Sequence, residues 1–415
     1  MKIHVIGAGP AGCMAAIAAA EKGHDVTIIE KNAKIGRKLY ISGKGRCNLT
    51  NVADRRTFLL NTVSNPKFPI SALSAFSNDD TVSFFEEAGV ALKTERGGRV
   101  FPASNKSADI IDALLYKLRA LKVRILFSTE FLSFVVKNGA ITAIVTSEGE
   151  FPTDAVVLAT GGASYPLTGS DGKGYGILAS LGHRIVPPVA ALCATELKGA
   201  YDFGGKLLTP EELPLPEGLG LKNVRLSAVY GGKTVRSEFG EMLFTDKGVS
   251  GPIALTLSSY VNRLDFDDLV YVLDLKPALD DSTLDKRLTS EFATSNRIYR
   301  NVLGELLPHS LVPYFCAVSG INGEKQVNLI TREERKLIGR LLKNLTFPVR
   351  SLAPLSEAIV TAGGCDVKEI DPRTMRSKII SNLSVCGELL DVDALTGGFN
   401  IQLALSTGFV AGSNI

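Results

Sequence analysis

The chain has 415 residues, of which 45% are apolar and 21% charged, and its formal net charge is +3. The length exceeds one ordinary hydrophobic core and predicts two or three domains, and the composition is that of a globular protein and excludes a disordered one. The near balance of charge gives no global reason to expect nucleic acid or a membrane surface, and no run approaches the roughly 20 apolar residues of a transmembrane helix. We expect a cytoplasmic protein.

Residues 1–30 predict a strand, a glycine turn, a helix and a second strand. The apolar run Lys2–Ile6 is followed by G-x-G-x-x-G, then by the alanine-rich Ala11–Lys22 and by Val26–Ile29, which ends at Glu30. Such glycines make the turn, admit a pyrophosphate at the helix N-terminus and let helix and strand pack closely. A carboxylate at Glu30 can hold two ribose hydroxyls, so the pattern predicts dinucleotide binding and favours FAD or NAD over NADP.

The segment after Glu30 is basic and contains no acid before Asp54. Its Ser42–Arg46 stretch has the composition of a backbone nest, in which N–H groups and fixed cations surround an anion. A solvated basic loop is the ordinary alternative, but the charge of a pyrophosphate must be matched and this is the nearest source of cations. The six basic residues are Lys31, Lys34, Arg37, Lys38, Lys44 and Arg46.

The stretch that follows, up to residue 183, alternates helical and strand patterns. A hairpin is predicted over 94–102 with its turn at Gly97-Gly98, and a second at Asn138-Gly139. His183, at the end of a predicted helix, is expected to be structural. The other elements are helical pieces in 55–120, an amphipathic helix over 109–121, strands at 123–127, 132–137, 141–146 and 155–159, and a helix over 174–182.

A change of character near residues 185–188 predicts a domain boundary. Residues 187–280 carry short strand signals of a small barrel or sandwich. Residues 281–355 are predicted helical, with a capping box at Thr331–Glu334 and an apolar stripe that reaches Leu345. From residue 356 glycine-containing turns again separate the predicted elements. Gly397-Gly398 precede a final helix over 401–410, whose dipole would stabilise negative charge.

Six cysteines and four histidines offer no C-x-x-C pair and no ligand-like cluster. We therefore expect no disulfide and no metal site, and we expect most thiols to be small buried apolar residues.

The motifs together resemble one known family. GAGPAG with Glu30, GRKLYISGKGRCNLTN at 36–51, ATGGASYPLTGSDGKGYG at 159–176, GEMLFTDKGVSGP at 240–252, VTAGG at 360–364 and GELLDVDALTGGFNIQLALSTG at 387–408 are similar to the BaiN/RdsA (YhiN-like) FAD-dependent oxidoreductases.

The resemblance implies an α/β fold: a discontinuous, glutathione-reductase-like Rossmann domain for FAD, built from residues 1–186 and 356–415, with a β-barrel and helical insert over 187–355. It also implies that Val360–Gly364 and Leu383–Glu388 complete the sheet begun by Lys2.

The resemblance further implies the residues that hold FAD, by their place in the motifs. The adenosine end would involve Gly7, Ala8, Gly9, Pro10, Ala11, Gly12, Glu30, Lys31 and Phe131. The flavin and its phosphates would involve Lys38, Ser42, Gly43, Gly45, Arg46, Cys47, Asn48, Ala159, Thr160, Gly161, Gly387, Glu388, Asp391, Gly398, Phe399, Asn400 and Ile401.

The implied activity is hydride transfer through flavin N5 to or from an ene or amine substrate. No second G-x-G-x-x-G exists, so NADH or NADPH would dock transiently, or oxygen would reoxidise the flavin. Cys47 has no second cysteine nearby for a dithiol couple; Tyr165 and Arg46 are substrate-side candidates, and no catalytic residue is assigned.

The first alternative is a ribosomal RNA dihydrouridine synthase, supported by a basic cluster of Lys222, Arg225, Lys233 and Arg236; the second is a non-catalytic, flavin-binding regulatory protein. The oligomeric state stays open.

Overall fold

A computed structural model describes residues 1–202, 204–293 and 296–415. It divides into two compact units: unit 1 comprises Met1–Ala190 with Leu355–Ile415, and unit 2 comprises Ala191–Pro354. The sequence analysis places its boundaries after residue 186 and before residue 356. No helix of the described residues has the length and apolar character that crossing a membrane requires.

The N-terminal part of unit 1 alternates strands and helices. The strands are β1 Lys2–Ile6, β2 Asp25–Ile29, β3 Thr50–Asn51, β4 Leu92–Glu95, β5 Arg99–Pro102, β6 Arg124–Leu126, β7 Phe131–Lys137, β8 Ala140–Thr146, β9 Gly149–Pro152, β10 Ala155–Leu158 and β11 Ile185–Ala191, and the helices are α1 Pro10–Glu21, α2 Arg37–Gly45, α3 Arg55–Leu60, α4 Ile70–Ala75, α5 Asn78–Glu87, α6 Ser107–Ala120 and α7 Lys173–Ser180.

Unit 2 begins and ends with strands and carries its helices between them. Its elements are β12 Thr195–Leu197, β13 Ala200–Tyr201, β14 Leu207–Leu208, β15 Gly220–Tyr230, β16 Lys233–Phe244, β17 Gly248–Ser250, α8 Pro252–Val261, β18 Leu269–Asp274, α9 Asp281–Ala293, α10 Tyr299–Leu306, α11 Val312–Ser319, α12 Arg332–Lys343 and β19 Leu345–Leu352. Unit 1 then resumes with β20 Val360–Cys365, β21 Leu383–Val385 and α13 Phe399–Ser413.

The main sheet of unit 1 has five strands in the order β21-β10-β1-β2-β6, all parallel. All four residues of β10 are buried, as expected for a parallel strand covered on both faces. The chain's C-terminal part therefore supplies an edge strand, as predicted for Leu383–Glu388. The prediction for Val360–Gly364 is wrong, because β20 pairs with β11 in a separate two-stranded sheet while β21 takes the place next to β10.

Helix α1 is packed backbone to backbone against α13. A Cβ on Gly408 would lie 2.2 Å from the carbonyl oxygen of Ala11, and one on Gly412 would lie 2.1 Å from that of Ala15. Only glycine permits this approach on the α13 side. On the α1 side, the small alanine side chains allow the two backbones to come equally close. The final helix thus lies directly on the helix that follows the glycine turn, and it begins at Phe399, two residues before the predicted start.

Unit 2 is built on a closed six-stranded barrel in the order β12-β17-β16-β15-β18-β19. Along β18 every second residue is buried, which is the alternation that a barrel wall requires. The capping box of α12 is present, with the Thr331 and Glu334 side chains each bonded to the other's backbone N–H. The prediction that residues 281–355 are helical is wrong at its end, because Leu345 begins β19, which closes the barrel against β12.

Candidate cofactor site

The glycine turn between β1 and α1 has the geometry that its sequence predicts. Gly7 has a φ of +100°, and a Cβ on Gly12 would lie 1.9 Å from the Gly7 carbonyl oxygen, so both positions require glycine. A Cβ on Gly9 would meet no heavy atom within 4 Å. Because Gly9 lies immediately before α1, this open space is at the positive end of a 12-residue helix.

Glu30 follows β2 and lies beside the turn with its side chain buried. One carboxylate oxygen accepts the N–H of Ala8 at 2.8 Å, and the other accepts the backbone N–H and side-chain amide of Asn32 at 2.8 and 2.7 Å. These bonds fix the carboxylate next to the turn. Lys31, the next residue, forms a 2.8 Å ion pair with Asp171.

Some cations of the basic segment after Glu30 are already paired with carboxylates of the chain. The Lys38 ammonium contacts both carboxylate oxygens of Glu388 at 2.8 and 2.7 Å and the Ser164 hydroxyl at 2.6 Å. Arg46 forms an ion pair with Glu95, and its guanidinium lies 4.2 Å from the ring centroid of Phe101. Together with Lys31, half of the six predicted cations are therefore ion-paired within unit 1.

The Ser42–Arg46 stretch ends helix α2 through a backbone reversal. Ser42 is extended, and Gly43 and Lys44 are left-handed with φ of 57° and 59°. Cys47 is also left-handed and fully buried, and burial raises the pKa of its thiol to about 12. A thiol with that pKa stays protonated at neutral pH and is a poor nucleophile, which agrees with a packing role. The backbone of Gly45 has a φ of 79°.

Asn48 connects this stretch to the turn before α13. With its amide oxygen facing Gly398, it accepts the Gly398 N–H at 3.0 Å and donates to the Thr50 carbonyl at 3.3 Å. A Cβ on Gly398 would lie 2.3 Å from that same carbonyl oxygen. The basic segment and the C-terminal helix are thus in direct contact at the start of α13.

The turn after β10 brings Ala159–Gly161 to the first glycine turn. A Cβ on Gly7 would lie 2.6 Å from the carbonyl oxygen of Ala159. The hydroxyls of Thr160 and Ser170 are buried and have no hydrogen-bond partner among the described residues. Buried polar atoms are normally bonded, so these two hydroxyls are candidate partners for a polar group from outside the chain.

The C-terminal candidates are positioned mostly by their own backbone. Gly387 has a φ of 72° and opens a short 3₁₀ turn. The amide of Asn400 is used internally, donating to the Ala394 carbonyl at 2.6 Å and accepting its N–H at 2.9 Å. Asp391 is buried and accepts from the Asn65 amide at 2.9 Å. Phe399, Asn400 and Ile401 form the first turn of α13, whose N–H groups have no carbonyl partner within the helix.

The connection of Phe131 to the glycine turn and Glu30 is indirect. It is the first residue of β7, and its ring lies 4.6 Å from that of Phe134. Thr129, two residues before it, donates its backbone N–H to the Glu30 carbonyl at 3.1 Å. Tyr165, the other aromatic candidate, is a left-handed residue with a φ of 54° in the turn after Ser164.

Three contributors to this region escaped the sequence analysis. The Glu388 carboxylate accepts the backbone N–H of Thr361 at 2.9 Å and the hydroxyl of Ser164 at 3.3 Å. Asn51 donates its side-chain amide to the carbonyls of Gly97 and Gly397, both at 3.0 Å. All three residues lie in quoted motifs, Asn51 at the end of the 36–51 motif, so position in a motif was an available signal.

A cavity of about 600 Å³ opens in unit 1 beside this region. Its lining includes Asn48 and Phe399, which are candidate cofactor residues, together with the hairpin tip Gly97-Gly98 and Arg99. No described group of three or more histidine, cysteine, aspartate or glutamate side chains is arranged to hold a metal ion.

The chain is similar along its whole length to characterised proteins. It is 29% identical over 422 residues to the 3-dehydro-bile acid delta(4,6)-reductase of Clostridium scindens, covering 99% of this chain and 98% of that one. It is 30% identical over 411 residues to the ribosomal RNA dihydrouridine synthase of Escherichia coli, covering 99% and 97%, and 28% identical to the enzyme of that name from Haemophilus influenzae, covering 99% and 97%.

Solved structures share the fold at low sequence identity. The 3-ketosteroid-delta4-(5alpha)-dehydrogenase of Rhodococcus jostii matches with a TM-score of 0.52 at 14% identity, covering 99% of this chain and 96% of that one. The 3-ketosteroid delta1-dehydrogenase of Sterolibacterium denitrificans matches with a TM-score of 0.51 at 13% identity, covering 99% and 98%. The predicted α/β Rossmann fold, its FAD-binding class and the expectation of a flavin-dependent oxidoreductase are thereby confirmed. Because the model of the HI0933-like protein Rossmann domain matches residues 1–414, the chain belongs to the HI0933-like Rossmann family.

Proposed function

We propose that this protein is an FAD-dependent reductase of carbon–carbon double bonds conjugated to a carbonyl group, with NADH or NADPH as the hydride donor. The observation that carries the proposal is that unit 1 contains the open space at Gly9, the buried Glu30 beside that turn, and the exposed N–H groups of the first turn of α13, the helix packed along α1. The similar reductase and the similar dihydrouridine synthases are both named for reactions that saturate a ring double bond.

The residues fit FAD on structural grounds. The open space at Gly9 supports a pyrophosphate against the N-terminus of α1, and Glu30, held beside that turn, would then hold the adenosine ribose. The unpartnered Thr160 and Ser170 hydroxyls are available for further polar atoms. When bound, FAD supplies the centre that accepts and donates hydride.

The chain's own contribution is orientation and charge. The N-terminus of α13 stabilises negative charge placed against it by about 1 kcal/mol, and by more where water is excluded. Lys38 is held by Glu388 and Ser164, so its position is fixed before any cofactor or substrate arrives. We propose that Gly398–Ile401 lie at the pyrimidine edge of the flavin and that Lys38 lies alongside it.

The decisive experiment follows the flavin spectrum of the purified protein. We expect a yellow protein whose visible flavin absorbance is bleached anaerobically by NADH or NADPH and restored by an enone. Bleaching by an amine, with return of colour only on admission of oxygen, would instead identify an oxidase. If no nicotinamide, ene or amine changes the spectrum, the protein is a non-catalytic flavin binder.

Two variants test the adenosine end. Gly9→Val places its side chain in open space, so it should leave the fold intact and abolish FAD retention. Glu30→Ala should weaken FAD retention by removing the ribose partner. The control is Glu148→Ala, an exposed glutamate in the hairpin between β8 and β9. Fully flavinylated Gly9→Val and Glu30→Ala proteins would show that the adenosine end lies elsewhere.

Reduction of uracil in ribosomal RNA is the second candidate, because two similar proteins bear that name. The basic cluster predicted to support it lies on β15 and β16, where all four side chains are exposed. Arg236 is already paired with Glu238 at 2.5 Å and lies 4.8 Å from the ring centroid of Tyr260. The other three are spread along the hairpin, since Lys233 pairs with Tyr230 and Arg225 with Phe239. Binding of ribosomal RNA that falls steeply with salt would favour this function; salt-independent turnover of a small enone would exclude it.

A further inference from the structure

We infer that the cavity beside the start of α13 is the substrate site, and that Arg99 binds an anionic group of the substrate there. This inference rests on the proposed function and adds the substrate class, an ene compound that carries a carboxylate or a phosphate. The cavity's volume of about 600 Å³ is that of a small-molecule site.

The walls of the cavity are held in place by internal bonds. Asn51 uses its amide to hold the carbonyls of Gly97 and Gly397, so the tip of the β4–β5 hairpin is fixed against the turn before α13. Gly98 is left-handed, and a Cβ there would lie 2.6 Å from the Asn51 amide oxygen. The cavity is therefore a preformed one that does not depend on a mobile hairpin.

The charge of the lining is positive. Its polar side chains are asparagine, threonine and Arg99, and no aspartate or glutamate lines it. Arg99 donates its Nε to the Arg96 carbonyl at 3.0 Å, and its guanidinium lies 5.8 Å from the ring centroid of Phe101. That single bond leaves the terminal nitrogens of Arg99 for a ligand, and a guanidinium is well suited to a carboxylate or a phosphate.

The cavity is also continuous with the candidate flavin site. Phe399, the first residue of α13, lines it together with Gly397 and with Asn48, which accepts the Gly398 N–H. A ring of the same ligand would extend along Val52, Ala53 and Phe399, which are the apolar part of the lining.

The test uses the flavin-loaded protein and pairs of probes that differ in one anionic group. The first pair is 3-oxochol-4-enoic acid and its methyl ester; the second is uridine 5′-monophosphate and uridine. Binding is followed by the change in flavin absorbance. The variant is Arg99→Gln, and the matched control is Arg96→Gln, an exposed arginine of the same hairpin turn that does not line the cavity.

We expect Arg99→Gln to weaken binding of the charged member of a pair about 10-fold or more, with less than twofold change for its neutral partner, and Arg96→Gln to change neither. An effect confined to the steroid acid identifies a carboxylate substrate, and one confined to the nucleotide identifies a phosphate. The inference is overturned if neither acid binds to the parent protein, if acid and neutral partner weaken equally, or if only the KM of NADPH rises. An unchanged flavin spectrum and unchanged bleaching by nicotinamide in Arg99→Gln separate these outcomes from a failure of the proposed function.

Discussion

Lys38 and Glu388 lie 350 positions apart in the chain and form a half-buried ion pair in unit 1. The Glu388 carboxylate also accepts the N–H of Thr361, so removing Lys38 would leave a partly desolvated carboxylate beside a neutral donor. Individual side chains of this kind determine whether the two ends of the chain come together correctly. They also set the charge that a flavin would meet.

We predict that Lys38→Met lowers the free energy of unfolding by about 1 to 2 kcal/mol, since the pair is only half-buried. Glu388→Gln should cost a similar amount, and the double variant should cost less than the sum of the two. Urea unfolding of the four proteins measures this coupling. Additive effects would mean that the two side chains do not interact.

Both ring nitrogens of His183 contact neighbouring side chains, in keeping with the structural role predicted for it. Its Nδ1 lies 3.1 Å from a Glu369 carboxylate oxygen, and its Nε2 lies 2.9 Å from the Ser377 hydroxyl. That hydroxyl oxygen already accepts the N–H groups of Ile379 and Ile380, so its proton is directed at an unprotonated Nε2. Burial lowers the pKa of His183, against the opposing effect of Glu369.

A lowered pKa means that the unfolded chain binds the proton more tightly than the native one. The stability contributed by a neutral His183 is therefore complete above the unfolded pKa of about 6.5 and is lost as pH falls through the native pKa. We predict that His183→Gln flattens the fall in unfolding free energy between about pH 7 and 5. His309→Gln, at an exposed histidine, is the control and should keep the slope of the parent.

At the scale of elements, α13 is the part of unit 1 that depends most on exact packing. Two of its glycines lie against backbone carbonyls of α1, and its first turn is held by Asn48 and Asn51 through Gly398 and Gly397. A displacement of α13 would therefore alter the glycine turn and the candidate pyrimidine edge together.

We predict that Gly408→Ala lowers the free energy of unfolding by about 1 to 3 kcal/mol, because the new methyl group meets a carbonyl oxygen. It should also increase FAD loss on gel filtration. The control is Gly176→Ala in α7, where a Cβ meets nothing within 4 Å. Alanine there should stabilise the helix by up to about 1 kcal/mol. A Gly408→Ala protein as stable as the parent would contradict the close packing of α1 and α13.

Unit 2 is one continuous segment of the whole molecule, with its own buried core. Its first and last strands, β12 and β19, pair with each other, and Ala353 donates its N–H to the Ala194 carbonyl at 2.9 Å. We predict that residues 191–354 alone form a folded protein with a cooperative thermal transition and dispersed amide resonances. A fragment lacking β19, ending at residue 344, is the control and should not fold because its barrel cannot close.

The sequence predicts local features well and distant pairings poorly. Gly7–Gly12 and Glu30 were identifiable because turn, helix start and acid lie within 30 residues, and the capping box at Thr331 because it spans four. The edge position of β21 came from family resemblance. The misplaced β20 and the missed closure by β19 both concern which strand pairs with which, and strand periodicity contains no information about the partner. The contacts of Asn51 with Gly397 and of Lys38 with Glu388 escaped for the same reason, since hydrogen bonds across hundreds of residues leave no local pattern.

The late position of β21 has a consequence for synthesis. Until residues 383–385 leave the ribosome, the edge of β10 has no neighbour on that side, and α1 lacks the helix that covers it. A nascent chain that stops short of this point presents an open strand edge and an exposed alanine-rich surface, both of which favour association with other chains. Termination before β21 should therefore yield aggregates, which a chain that includes β21 and α13 should escape.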